Sequence, residues 1–540
     1  MTTQPSQVDK PSHSQRGRAI PFGLCVLLAT AVYASGLSRE LTQPWVGMHD
    51  WNGAFFSQLA RNFLRYPMSL HNGMPIVAVG DAVPPAEERS IYATHPPGLV
   101  WLVAGAFAVL GEAEWVARLV PIVASLGTLW LLMWLIDRGI GRRTAVLAGL
   151  TYAVMPMSVY FGRMVDHEAL CLFCMLAALC AWHFIRRTDL SVGGRQGAWA
   201  AWVLSMTCAI WIDWSGVLFA GVFCGYAMIE RRRGRVSGRA LTLVCATVVI
   251  ATAAMVTYLV EAGLAGRWAD LVAVFKSRAT DISDGPEGSD KAVPGTPWSY
   301  TLENLTWPIA VLMLIGALVR SGLGRSKSRE SNNPGGADAD LGLWTVLVTA
   351  LLWVCLLWRQ YERHNYWLFY LGPAAAMYTA VAMTQVQIRV DAMFGRGGRF
   401  ALYSAAGLVI VFGLRGIDAY FERDFSYPPD AVTAWRRVHD EQTHPGDRVL
   451  MFLNPIREEQ RGGYHFRNIV PPQFAYYLDR PFDVEPDLQK VREDVDHSVF
   501  VVPVADAVRL GGRLGPLQAR FPSEQVGNQV IFTLQDRRPE

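Results

Sequence analysis

Four carboxylates stand where an apolar surrounding makes them costly. Asp50, Asp166, Glu168 and Asp213 each lie beside a long apolar run. Hydrocarbon penalises a carboxylate near its core, so residues of this kind mark sites more often than scaffold. A carboxylate held at such a boundary can take a proton from an attacking hydroxyl. Cationic types stand in matching places: His95 in Ala93-Thr-His-Pro-Pro-Gly98, Arg163 shortly before Asp166, and Arg363 with His364 in Arg359-Gln-Tyr-Glu-Arg363-His364-Asn-Tyr-Trp367. Such groups can hold an anion, phosphate above all, beside the reacting atoms. Plainer roles stand beside these: Asp50 as a helix cap, Asp213 as a loop turn, and the arginines as snorkelling side chains or partners of Glu362.

The elements that must position these groups are apolar. The chain has 540 residues, 51% hydrophobic and 18% charged, with 19 Trp and a mean hydropathy of +0.20. A soluble chain of this length would carry more charge. Apolar stretches recur at about twenty residues, enough to cross roughly 30 Å of hydrocarbon. The expected class is an all-α polytopic membrane protein, with the lipid bilayer as its surroundings and no nucleic-acid partner. Cys25, Cys171, Cys174, Cys180, Cys208, Cys224, Cys245 and Cys355 all fall in apolar runs, so no disulfide framework is implied. Cys171 and Cys174 read as small helix-packing residues.

Residues 1–18 form a polar tail ending in Arg16 and Arg18, followed by a retained first helix, Ala19–Leu37, with a cytoplasmic N-terminus. Further apolar runs are Trp115–Ile136, Ala145–Phe161, Leu170–Ile185, Ala198–Ile212, Gly216–Ile229, Ala240–Val260, Trp307–Val319, Leu341–Trp358, Tyr366–Met383 and Phe400–Leu414. Pro97–Leu110 is too short to span. If it only dips into the membrane, the basic clusters at 138–143, 186–187, 231–235, 320–329 and 389–399 all face the cytoplasm. If it spans, every one of them faces outward. The positive-inside rule therefore predicts eleven spans in the plasma (inner) membrane, with the C-terminus outside.

The domain boundaries follow. Residues 19–420 form the membrane domain, with 38–114 as its first outer loop and 321–340 as a polar cytoplasmic linker. Residues 421–540 read as a small extracytoplasmic α/β domain, with helices at 430–441 and 474–478 and strands at 448–453, 499–504 and 530–534. That domain carries no catalytic motif, and the chain shows no internal repeat.

In the first outer loop, Trp51, Phe55, Leu59 and Phe63 share one helical face while Gln58, Arg61, Asn62 and Arg65 share another. This predicts an amphipathic helix lying in the membrane interface, with Asp50 capping its start. The two prolines after His95 fix the chain's entry into the short apolar piece.

An Asp just after the first span, interfacial helices, a polar entry through Pro96-Pro97, and Gly111 followed by Arg118-Leu119-x-Pro121 together resemble the glycosyltransferases with the GT-C fold. The pattern is most similar to glycosyltransferase family 39, which includes protein O-mannosyltransferases and lipid A aminoarabinose transferases. The likeness is strongest over Gly47 to Arg187. It implies that Asp50 is the catalytic Asp of the first outer loop and that Asp166 is the acidic residue of the second, with Glu168 competing for that role. His95 stands where the aminoarabinose transferases have a Lys, and Trp51 stands where the family has a second acidic residue.

By the same resemblance the substrate is a polyprenyl-phosphate-linked sugar, transferred to a lipid, glycan or protein acceptor that the sequence does not specify. Asp50, Asp166 and Glu168 are then the catalytic candidates, and His95, Arg163, Asp213, Arg363 and His364 line the substrate site. A divalent metal on Asp166, His167 and Glu168 is compatible with their spacing alone. The rival reading is a polytopic transporter or flippase, which calls for broken helices in matching halves. Neither broken helices nor matching halves are evident in the sequence. A further rival, a membrane-anchored binding module acting through its C-terminal domain, leaves the charged outer loops unexplained.

Overall fold

The computed structural model describes residues 21–534 apart from 48, 84–89, 93, 188, 262–271, 273–295, 322–333, 358–364, 396, 424–429, 453–471, 486 and 495. Every apolar run expected to be helical falls on a helix. In chain order these are α1 (Phe22–Leu37), α2 (Asp50–Arg65), α3 (Met68–His71), α4 (Gly98–Leu110), α5 (Glu114–Gly139), α6 (Arg142–Ala153), α7 (Pro156–Gly162), α8 (His167–Ile185), α9 (Val192–Ile212), α10 (Trp214–Arg232) and α11 (Gly238–Leu259). They continue with α12 (Thr296–Leu305), α13 (Trp307–Arg320), α14 (Pro334–Leu356), α15 (Gly372–Phe394) and α16 (Gly397–Arg423). Among the described residues four helices, α5, α8, α11 and α16, are long and apolar enough to cross a bilayer alone, and two bent pairs reach that length together.

Those bends correct the sequence reading. The run 145–161 is not one helix: α6 and α7 meet at 61°. Pro156 lacks an amide hydrogen and would clash with the carbonyl four residues back, so the helix stops before it. Buried Ser158 repairs the break by donating to the Tyr152 and Met155 carbonyls, the latter at 2.8 Å. Tyr33 of α1 reaches the Ser158 carbonyl at 2.8 Å. The run at 307–319 is likewise preceded by α12, bent 88° from α13. The run at 366–383 opens as a 3₁₀ turn, Asn365–Leu371, before α15. Broken helices of the kind a transporter would need are therefore present, but no charged residue stands at either break, Val154-Met155 or Thr306.

Charge separates the two ends of the bundle. One end collects the starts of α2, α5, α8 and α10, and so brings Asp50, Glu114, Asp166 and Asp213 together. The other collects Arg138, Arg186 and the arginines after α10. There the fully buried Glu230 pairs with Arg186 at 2.8 Å, Arg235 at 3.3 Å and Arg233 at 3.6 Å.

The C-terminal region has a five-stranded sheet of β3 (Val449–Met451), β4 (Phe482–Val484), β5 (Val499–Pro503), β6 (Ser523–Val526) and β7 (Gln529–Thr533), ordered β4-β3-β5-β7-β6. A separate two-stranded ribbon, β1 (Ile76–Val77) and β2 (Ser90–Ile91), lies in the first loop. Strand β3 runs parallel to β4 and β5, and β7 is antiparallel to β5 and β6. The run Val499-Phe-Val-Val502 is apolar throughout because both faces of β5 are covered. Phe500 and Val502 pack with Leu450, Val491 and Phe532, while Val499 and Val501 turn toward the core shared with the bundle.

That domain is clamped onto the first outer loop through the polar face of α2. The face does not simply lie against membrane or water as amphipathicity suggests. Arg65 grips Asp479 with both terminal nitrogens at 3.0 and 2.6 Å, and Arg61 reaches the Tyr476 carbonyl at 2.9 Å. Asn62 and Gln58 are buried on the carbonyls of the β1 segment. Burial alone would raise the Asp479 pKa, but the bonds from Arg65 and the charges of Arg61 and Arg65 hold it well below the usual carboxylate range. Stability from such a depressed group is present above its unfolded pKa of about 3.9 and is lost as pH falls through the folded value. Asp479→Asn should therefore cost about 2 kcal/mol at pH 7. The gap to the wild type should shrink below about pH 4. Thermal unfolding in detergent at both pH values checks this, and an unchanged gap would contradict it.

Candidate active site

The loop from Ser38 to Gly47 wraps around one guanidinium. Arg118, on the second turn of α5, is 2% exposed, a position a cation tolerates only with several partners. It has them: the Leu41 carbonyl at 2.9 Å, the Gln43 carbonyl, the Trp45 ring face with its centroid 4.1 Å away, and Asp50 Oδ1 at 3.2 Å. Trp45 can lie flat against α2 because residue 53 is Gly; a Cβ there would overlap the ring.

Asp50 is the first residue of α2, and His49 occupies the cap position. The capping role expected for Asp50 is therefore corrected. Its carboxylate turns back toward the loop, where Oδ2 accepts from the amides of Val46 at 3.3 Å and Gly47 at 3.1 Å. Three donors orient it. A carboxylate offers about four lone-pair directions, so acceptor capacity remains for a substrate proton.

Asp50 and Arg118 line a narrow cleft with Glu40, His49, Tyr160 and Arg163. Arg163 follows α7 directly and donates to the Glu40 carbonyl at 3.0 Å, with the Phe421 ring 5.1 Å below its guanidinium carbon. Burial, together with the charge of Arg118, pushes its pKa down to about 10. A buried cation under that strain is a good receptor for an anion.

A second group sits beside the first, deeper in the protein. Asp166 caps α8 and accepts from its own neighbour His167 twice, through the backbone amide and Nδ1, both at 2.8 Å. Its other oxygen takes the Asn52 amide at 2.6 Å. Because Asn52 stands two residues after Asp50, it joins the groups mechanically. His95 stacks on His167 with centroids 4.5 Å apart, bonds Tyr92 at 2.7 Å, and lies 3.9 Å from Asp213. Asp213 caps α10 through the Ser215 amide and accepts from Tyr370 at 3.2 Å, which puts it at the turn between α9 and α10. Glu168 is 5% exposed, and its Oε2 has no hydrogen-bond partner among the described residues.

The predicted residues thus divide. Asp50 and Arg163 share the cleft; His95, Asp166, Glu168 and Asp213 form the deeper group; Arg363 and His364 lie outside the described residues. The trio Asp166, His167 and Glu168 does not converge: among the described residues no set of three His, Cys, Asp or Glu side chains could hold a metal ion. Asp166 is engaged by Asn52 and His167. Arg118 and Asn52, which hold the Asp50 and Asp166 carboxylates, are not among the residues the sequence pointed to, and His167 entered there only as a possible metal ligand. A charge early in the run Trp115–Ile136 was the available signal for Arg118; Asn52 carries no signal in sequence.

Comparison with known proteins agrees with this geometry. Residues 94–258 match the family model described as dolichyl-phosphate-mannose-protein mannosyltransferase. No curated protein matches the chain in sequence. The chain is similar in structure to ArnT from Cupriavidus metallidurans bound to undecaprenyl phosphate, with a TM-score of 0.61 at 14% identity, covering 96% of this chain and 99% of that one. It is also similar to the archaeal oligosaccharyltransferase AglB from Archaeoglobus fulgidus in complex with an inhibitory peptide and a dolichol-phosphate, with a TM-score of 0.57 at 10% identity, covering 96% of this chain and 75% of that one. The fold is that of the GT-C membrane glycosyltransferases. The family match takes in Arg118 and the whole deeper acidic group.

Proposed function

We propose that this chain transfers a sugar from a polyprenyl-phosphate donor to an acceptor, with the reaction in the Asp50 cleft. The observation that carries the reading is the juxtaposition there of an oriented carboxylate, Asp50, with the buried Arg163. In this reading the donor phosphate docks on Arg163, whose burial cost it offsets. Asp50 takes the proton as the acceptor O–H bond breaks. The acceptor oxygen bonds to the anomeric carbon, and the sugar–phosphate C–O bond breaks with its electron pair leaving on phosphate. The leaving group is already an anion, so it needs charge stabilisation rather than a general acid.

The deeper group would position the cleft, with Asn52 tying Asp166 to the start of α2. His95 would reach the donor only from the side of His167, and Arg363 and His364 are further candidates for the phosphate. The relatives' bound lipids, undecaprenyl phosphate and dolichol-phosphate, support a polyprenyl phosphate as the carrier class. The proposed setting is the plasma membrane, with the Asp50 end and the C-terminal domain outside and the arginine-rich end in the cytoplasm. An impermeant thiol reagent should fail to label a cysteine placed at Arg142 in whole cells; labelling there would reverse the orientation.

Cells lacking the gene should accumulate a polyprenyl-phosphate sugar, cleared by the wild type. Asp50→Asn should turn over roughly a hundredfold more slowly. Lipid mass spectrometry of complemented cells checks both. Clearance by Asp50→Asn at the wild-type rate would move the base to Asp166 or Glu168, and absence of any accumulated carrier lipid would remove the donor assignment.

A further inference from the structure

At the end of the bundle away from the cleft, α1 and α6 start side by side and leave an open groove of about 350 Å³ between them, lined by Phe22, Cys25, Arg142, Arg143, Val146 and Leu147. Its walls are apolar, but its rim carries two exposed arginines at the first positions of α6. Cations are unfavourable at a helix N-terminus, where the backbone dipole is positive. Here nothing in the helix offsets them: the cap is Gly141, with no side chain to bond the first amides, and no acidic residue lies in the first turn. Arg142 stacks over Phe22 and has Asp137 at 3.8 Å. Arg143 makes no ion pair or side-chain hydrogen bond among the described residues. The groove thus joins a cationic rim, in which Arg143 has no ion pair among the described residues, to an apolar wall, which is the complement of an amphiphile with an anionic head.

We propose that this groove binds an anionic glycerophospholipid, its phosphate between Arg142 and Arg143 and an acyl chain along Phe22, Cys25, Val146 and Leu147. The apolar wall favours a lipid over a free phosphate. The chain's own preceding segment fits poorly, because residues 1–20 hold one acidic residue, Asp9, against Lys10, Arg16 and Arg18. Such a lipid would fasten α1 to α6, and α1 is the helix whose Tyr33 holds the α6–α7 break.

The test uses the purified full-length protein, delipidated in detergent and titrated with phosphatidylglycerol or phosphatidylcholine, with bound lipid counted by native mass spectrometry. Phosphatidylglycerol should bind the more tightly, and Arg143→Gln should weaken it by about tenfold. Arg143→Lys should retain most of the preference, and Arg142→Gln with Arg143→Gln should abolish it. Arg231→Gln with Arg232→Gln, an exposed pair at the same end with no apolar groove, should leave it intact. Equal binding of the two lipids, or an unaltered preference in the Arg142/Arg143 variant, would overturn the proposal. Displacement of the lipid by glycerol phosphate at equal concentration would assign the rim to free phosphate instead. The readout is independent of sugar transfer, so it stands or falls apart from the proposed activity.

Discussion

Arg118 brings a full charge to a position almost without solvent, and the surrounding chain is arranged to make that tolerable. The Leu41 and Gln43 carbonyls, the Trp45 ring and the Asp50 carboxylate supply its partners. Each ties a different part of the molecule to α5. The carbonyls fix the path of the loop after α1, and Asp50 fixes the start of α2. Trp45 links to the C-terminal domain, since its amide donates to Tyr477 at 2.7 Å and Tyr477 donates in turn to Glu114 at 2.8 Å. Removing the Asp50 charge would leave the buried Arg118 without its carboxylate, which is costlier than losing a surface pair.

The same constraint accounts for the character of the cleft. A carboxylate held by a guanidinium and two amides is aimed, which suits it to proton acceptance. Arg163, which lines the same cleft, is buried, and its contacts among the described residues are the Glu40 carbonyl, the Phe421 ring and, at 3.9 Å, the Glu40 carboxylate. The deeper acidic group differs in kind. Asp166 is spent on His167 and Asn52, and Asp213 on Ser215 and Tyr370. These residues brace the helix starts that the cleft is built on.

Much of this was legible in the sequence because apolar runs, basic clusters and isolated carboxylates are local signals. The helices lie where hydropathy put them, and Asp50 and Arg163 do meet. What sequence could not supply was long-range pairing. The polar face of α2 looked like a solvated or interfacial face because its partner, Asp479, lies some four hundred positions away. Asp50 looked like a cap because the type and place fit one, whereas the pull of Arg118 turns its carboxylate backward. Pro156 did announce the break in the run 145–161, but apolar continuity outweighed it in the reading. The edge strands β4 and β6, with polar residues such as Asp483 and Glu524, lacked the apolar pattern that marked β3, β5 and β7.

The central claim is that Asp50 works as Arg118 holds it, as one unit. A double-mutant cycle of Asp50→Asn and Arg118→Gln, read as sugar-transfer rate on folded, purified protein, tests it most directly. If the two act as a unit, the double variant should be no slower than Asp50→Asn alone, so that the losses fail to add by more than about 1 kcal/mol. Losses that multiply would mean that the pair is not what prepares the carboxylate, and would contradict the account.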